Sequence, residues 1–190
     1  MDSTLSFSLC RRESSALLIV DMQTRLAAAM PAEARERVLR NTGILIETAR
    51  TLGVPLVQTE QYPRGLGPTE PELAQRLEGR AQRLEKTAFS CCAAEGFDAA
   101  ACADGRTQWI LCGMEAHVCV LQTAFDLHAR GLEVFVVEDA VCSRTDANHA
   151  NALARLRQAG VVVSNTESVL FEWLRDAGDP QFKALSALIR

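Results

Sequence analysis

The chain has 190 residues, of which 48% are hydrophobic and 23% charged. This ordinary globular usage excludes a disordered, collagen-like or coiled-coil molecule and predicts a single domain over residues 1–190, with its core over about 14–170 and C-terminal helices over 171–190. Twenty basic against 24 acidic residues give a net charge of -4, without the basic excess of phosphate-backbone binders, so no nucleic acid partner is expected. No apolar run approaches the roughly 20 residues of a membrane span, and the first fifteen residues, MDSTLSFSLCRRESS, place no cationic region before an apolar stretch. No membrane partner, no secretory signal and a cytoplasmic location are expected.

Along the chain, short aliphatic runs alternate with longer Ala/Leu/Arg stretches of helical period, the pattern of a mainly parallel sheet flanked by helices. The first strand is read over 16–20 in SALLIVDM, apolar at successive positions as a strand buried on both faces requires, and it ends at Asp21. A helix follows Pro31 and stops at Gly53. The second strand is read over 54–59, then a loop over 61–71 on its Pro and Gly content. A short helix over 72–77 leads to RLEKTAFS, a brief strand or extended loop, and to a small helix near 97–103. A strand over 109–112, a helix over 118–130, a strand over 132–137 ending at Glu138 and Asp139, a helix over 146–158 and a strand over 161–163 complete the core. Thr166 opens the terminal helices, with Pro180 starting the last. The sum is an α/β, three-layer, doubly wound sheet of about six mainly parallel strands.

Seven cysteines, an odd number with no CxxC pair, favour reduced thiols over a disulfide framework or a CxxC zinc site. His117, His128 and His149 lack metal-ligand spacing. Open α/β sheets bind ligands beyond the carboxyl ends of their strands. Three residues there carry chemistry: Asp21 after the first strand, Lys86 in EKTAFS, and Cys119 after WILCG at the opening of a helix. A helix N-terminus and a nearby ammonium favour a thiolate, which suits a nucleophile.

DMQ at 21–23, KTAFS at 86–90 and GMEAHVCVLQTA at 113–124 resemble, in order and spacing, the signature segments of the isochorismatase-like cysteine hydrolase superfamily. The resemblance covers roughly residues 14–170, and the GMEAHVCV form is most similar to the isochorismatase domain-containing subgroup. It implies an Asp21, Lys86 and Cys119 catalytic triad, a cis peptide between Met114 and Glu115, and an oxyanion hole from the backbone N–H groups of Glu115 and Cys119. It further implies acyl transfer: Asp21 takes the thiol proton, Lys86 stabilises the charged pair, and Cys119 attacks an amide-like carbonyl to form a thioester that water hydrolyses. The nicotinamidases of this superfamily resemble one another in an Asp-x-His metal site, whereas the corresponding segment here is QTEQYPRGLGPT and no histidine precedes His117. No metal and no cofactor are therefore expected. Ala116 and His117 stand where many members have Thr-Asp.

Weighed singly, an aspartate after a strand is as often a helix cap or turn residue, a lone lysine is a solvated charge, and a cysteine is a small buried hydrophobe. Only two of the 20 basic residues are lysines, which sets Lys86 apart. Cys102, Cys112 and Cys142 read as packing residues, while Cys91 and Cys92 line the pocket or pack beneath it. Candidate pocket residues are Gln23, Glu60, Tyr62, Phe89 and His117, with Gln61 in the same loop as Glu60 and Tyr62. Phe89 reads more simply as core, and His117 as directed away from the thiol. Phe182, Leu185, Leu188 and Ile189 form an apolar stripe suited to a partner subunit. The leading expectation is a cofactor-free, homo-oligomeric hydrolase of a small amide, ureido or related acyl compound, acting on a small-molecule substrate. The alternatives are a catalytically silent scaffold of the same fold and a non-covalent vinyl ether hydrolase.

Overall fold

Six strands, β1 (Ser15–Val20), β2 (Leu56–Gln61), β3 (Ala81–Lys86), β4 (Gln108–Met114), β5 (Glu133–Cys142) and β6 (Val162–Ser164), form one sheet ordered β3-β2-β1-β4-β5-β6. Every pairing is parallel. The computed structural model describes residues 9–102 and 105–190, with the backbone alone at 101 and 102. The N-terminal reading therefore falls partly, and the Cys102 side chain wholly, outside the described residues.

Helices cover both faces, as an all-parallel sheet requires. Alternate residues of β1 divide between two cores: Leu17 and Ile19 pack on one face, and Ala16, Leu18 and Val20 on the other. The first face is roofed by α1 (Thr24–Ala28), α2 (Ala32–Leu52), α4 (Pro71–Leu77) and, later in the chain, α8 (Thr166–Leu174), while the short helix α3 (Pro63–Leu66) buries no residue. Val38, Leu45 and Ile46 of α2 and Val169 and Trp173 of α8 are its buried contacts. The second face carries α5 (Phe97–Cys102), α6 (Leu121–Ala129) and α7 (Asp146–Gln158), through Phe97, Leu127 and Leu156 among others. Helix α2 ends as its sequence predicts, with Gly53 in the left-handed region at φ 71°. No helix among the described residues is long and apolar enough to cross a membrane.

Three readings are corrected. Strand β2 runs to Gln61, two residues past its predicted end, because β3 pairs with it as far as Gln61 opposite Lys86. Strand β5 passes through Glu138 and Asp139 to Cys142: Leu111 pairs with Val136 but Gly113 with Val141, so β5 bulges around Asp139. The bulge is pinned by Asp139 Oδ1, which accepts from Thr166 N at 2.8 Å and Thr166 Oγ1 at 2.9 Å, and by its carbonyl, which accepts from Asn41 at 2.9 Å. The C-terminal stripe is not presented outward. Helix α9 (Phe182–Ser186) buries Leu185 against Leu170 and Leu174, with Phe182, Leu188 and Ile189 packed around them.

Candidate active site

The strand order reverses direction between β1 and β4, the place where open α/β sheets form a ligand crevice. There the two strands approach so closely that a β-carbon on Gly113 would lie 2.0 Å from the Val20 carbonyl oxygen, and Gly113 itself has φ 122°. Only glycine fits. The close approach fixes the exit of β1, where Asp21 takes a left-handed φ of 50°. Its N–H donates to Thr59 O at 3.2 Å and its carbonyl accepts from Gln23 N at 2.8 Å.

The Asp21 carboxylate is fully buried and doubly held. Lys86 Nζ donates to Oδ2 at 2.6 Å and Thr59 Oγ1 to Oδ1 at 2.8 Å. Lys86 has three protons to donate, and its other acceptors are Gln61 Oε1 at 2.8 Å, Phe89 O at 3.0 Å and Ala88 O at 3.3 Å. Burial is the largest single effect and works against the ammonium, yet the Asp21 charge, Cys91, Cys119 and the hydrogen bond to Asp21 together outweigh it, and the Lys86 pKa lies above its usual value.

Cys119 sits in a π-helical turn, Ala116–Val120, that leads into α6, at 5% exposure. The Met114–Glu115 peptide before it is cis. The Glu115 carbonyl accepts from Val118 N at 3.1 Å and Val120 N at 3.2 Å, and Thr123 Oγ1 donates to Cys119 O at 2.7 Å. The Asp21 carboxylate is near enough for its charge and its hydrogen-bonding capacity to raise the pKa of the thiol. Asp21, Lys86 and Cys119, distant in sequence, thus converge on one point. Burial first, then the Asp21 charge, push the Cys119 thiol well above the ordinary thiol range, against the favouring effects of Lys86 and the helix terminus. The arrangement holds a neutral thiol against a carboxylate that can accept its proton.

The candidate pocket residues separate. On β2, Val57 belongs to the α6 face and Leu56 to the α2 face, so Thr59 and Gln61 share the face of Cys119 while Gln58 and Glu60 face away. Glu60 is consequently corrected. Its Oε1 accepts from Thr69 N at 2.8 Å and Thr69 Oγ1 at 2.7 Å, and it lines a cavity of about 470 Å³ with Gln58, Thr69 and Arg83 on the far side of the sheet. Gln23 is a brace: its amide donates to Gln61 O at 3.0 Å and Gly67 O at 2.7 Å and accepts from Gln61 N at 2.7 Å. Phe89 is 53% exposed and Tyr62 55%, so Phe89 is not core. Both flank the end of β3, where Tyr62 N donates to Lys86 O at 2.8 Å. His117 Nδ1 meets Ser143 Oγ at 2.9 Å, and the Glu115 carboxylate accepts from Arg144 Nε at 2.9 Å.

Cys91 is buried at the site, with its Sγ 3.4 Å from Thr59 Oγ1 and its N–H donating to Thr123 Oγ1 at 2.9 Å. Cys92 is half-buried, whereas Cys112 and Cys142 are fully packed, and all four are free thiols. Sequence reasoning missed Thr59. The signal available was the alternation in LVQTEQ, which places Thr59 beside Gln61 once β2 is extended. Among the described residues, no three His, Cys, Asp or Glu side chains converge as a metal-ligand group.

The isochorismatase domain family matches residues 15–168. The isochorismatase domain-containing protein 2 of Danio rerio is 40% identical over 177 residues, 93% of this chain and 87% of its own. Among solved structures, the MAR1 ribonuclease of Caenorhabditis elegans superposes with a TM-score of 0.88 at 36% identity, covering 96% of this chain and 92% of its own. The Escherichia coli YcaC gene product, described as an octameric hydrolase of unknown specificity, has a TM-score of 0.88 at 26% identity, over 96% and 90%.

Proposed function

The chain belongs to the isochorismatase family, and we propose that within this hydrolase fold it is a cysteine hydrolase of a small amide, ureido or related acyl compound. One observation carries the reading: a buried carboxylate, paired with Lys86 at 2.6 Å, stands beside the Cys119 thiol and raises its pKa. The resting state is a neutral thiol beside an Asp21–Lys86 ion pair. When a substrate carbonyl arrives, Asp21 takes the thiol proton as sulfur attacks, and Lys86 offsets the changing charge. The oxyanion meets the N–H groups of Glu115 and Cys119. Asp21 returns the proton to the leaving nitrogen, the C–N bond breaks, and a thioester remains. Water, deprotonated by Asp21, cleaves the thioester and restores the thiol.

Cys119→Ala and Asp21→Asn, assayed on a panel of small amides, ureido compounds and a vinyl ether, test the scheme. Loss of turnover by at least 100-fold in both supports it. Retention by Cys119→Ala with loss in Asp21→Asn selects non-covalent vinyl ether hydrolysis, and no turnover on any substrate by the wild type favours a silent scaffold. A second reading, RNA cleavage, is favoured by the 36% identity to the worm ribonuclease. The acidic net charge of -4 weighs against it, and single-stranded RNA belongs in the same panel. We also propose that the chain forms a single domain and assembles with copies of itself, a reading supported by the octamer described for YcaC.

A further inference from the structure

We propose that Thr59 and Cys91 are positioning residues that aim and tune the Asp21 carboxylate through a directed chain of hydrogen bonds, an inference that rests on the cysteine-hydrolase reading. Thr59 grips Asp21 twice, through its carbonyl, which accepts from Asp21 N at 3.2 Å, and through its hydroxyl, which donates to Oδ1 at 2.8 Å. A carboxylate can only accept, and a hydroxyl has one proton. That proton is committed to Asp21, so the contact of 3.4 Å between Thr59 Oγ1 and Cys91 Sγ is made by the Cys91 S–H donating to the hydroxyl. The chain therefore runs from Cys91 to Thr59 to Asp21, with every proton pointing towards the carboxylate.

Its parts are held independently. Cys91 N–H donates to Thr123 Oγ1 at 2.9 Å, and the same hydroxyl donates to Cys119 O at 2.7 Å. One threonine thus ties the backbone of Cys91 to that of the nucleophile. Burial, and next the Asp21 charge, push the Cys91 thiol up to about 11, which keeps it a donor at neutral pH. The titratable groups that face Asp21 are Lys86 from β3, Cys119 from the π-helical turn and Cys91 from the short turn Cys91–Ala93. With Oδ2 on Lys86 and Oδ1 on Thr59, the carboxylate cannot rotate, and its orientation beside Cys119 is fixed.

Donation from Thr59 stabilises the charged carboxylate over its protonated form. Without it, the charged base loses one of its two donors, and Cys119 reactivity should fall off sooner on acidification. The rate of covalent modification of Cys119 by acrylamide, mapped by mass spectrometry from pH 4 to 9, reads this directly and needs no substrate. In Thr59→Val the acid limb of the profile is expected to move up by about one pH unit. Thr59→Ser should restore it, and Cys91→Ala should move it the same way by less, since the hydroxyl loses its own polarising donor.

A packing role alone lowers the rate evenly across pH, and that result in Thr59→Val overturns the proposal. If Thr59→Val does not fold, the limb in Cys91→Ala decides, and an unmoved limb there overturns the chain. Failure of the underlying reading looks different: wild-type Cys119 would then react no faster than Cys92, at any pH.

Discussion

Lys86 Nζ lies 2.6 Å from Asp21 Oδ2, and neither side chain is more than 1% exposed. Removing one partner of such a pair leaves a buried charge uncompensated, which typically costs about 3–5 kcal/mol. Lys86→Met and Asp21→Asn should each lower the urea midpoint, and the double variant should fall short of their sum because the lone charge is gone. Lys86→Arg should also lose activity. A planar guanidinium does not reproduce the compact set of acceptors on Asp21, Gln61, Ala88 and Phe89. An additive double variant would show that the ion pair carries no coupling.

The contact between Gly113 and the Val20 carbonyl predicts a position closed to every other residue. Alanine there places a methyl 2.0 Å from Val20 O at a φ of 122°, and relief requires β1 and β4 to part just where Asp21 leaves the sheet. Overpacking and backbone strain together cost about 3 kcal/mol, or roughly 6–12 °C in melting temperature for a chain of this size. Gly53→Ala serves as the comparison. It has φ 71° but open space around it, so its loss should be smaller and should leave Cys119 reactivity intact.

The buried thiols set an alkaline limit on stability. Burial pushes Cys91 up to about 11 and Cys112 and Cys142 up to about 12, and raises Cys119 further. Because the native pKa values exceed the unfolded ones, the unfolded chain releases these protons first as pH rises. Stability is full below the ordinary thiol range and falls between it and the raised values, by on the order of 1 kcal/mol per pH unit for each thiol. Urea midpoints should be level from pH 6 to 8 and drop from pH 9 to 10.5. Cys112→Ala combined with Cys142→Ala should flatten that slope, and an unchanged slope would assign the loss to other groups.

Neighbours on β2 should behave oppositely. Glu60→Gln weakens the tie to Thr69 on the α2 face and should lower stability by about 1–3 kcal/mol without moving the acrylamide reactivity of Cys119. Gln61→Ala removes an acceptor from Lys86 and should slow that reaction several-fold with a smaller stability change. Equal effects on reactivity would contradict the division of β2 between the two faces.

The same division explains what the amino-acid sequence disclosed and what it hid. Strands β1 and β4 were legible because a centrally placed parallel strand is apolar at successive positions, and α7 because its helical run is closed by Gly160. Asp21, Lys86 and Cys119 each follow or end such an element. Glu60 was misassigned because LVQTEQ is polar on both faces at its end, so hydrophobicity carried no parity signal there. Only the pairing with β3 shows that the strand continues and that Glu60 turns away. Thr59 was missed because its alternation with Gln61 counts only once β2 is known to run on to Gln61. The helix terminus that favours a thiolate at Cys119 is a weak effect beside burial and an adjacent carboxylate, neither visible in local spacing. Phe89 and the C-terminal stripe were misread because aromatic and aliphatic content does not say whether a neighbour exists to cover it.

The order of the sheet has a consequence for the chain as it is made. Of the six strands, β1 leaves the ribosome before the others, yet it pairs on one side with β2 and on the other with β4. Until residues 108–114 have emerged, the run Leu17, Leu18, Ile19 and Val20 has one unpaired edge of backbone donors and acceptors, the kind of surface that recruits strands from other molecules. Asp21, at the end of that edge, already has Thr59 and Lys86 within the emerged chain and waits only for Gly113 and Cys119. A nascent chain stalled before β4 should therefore be the species that chaperones bind and that aggregates. Release beyond Cys119 should close the sheet and bury the carboxylate in a single late event.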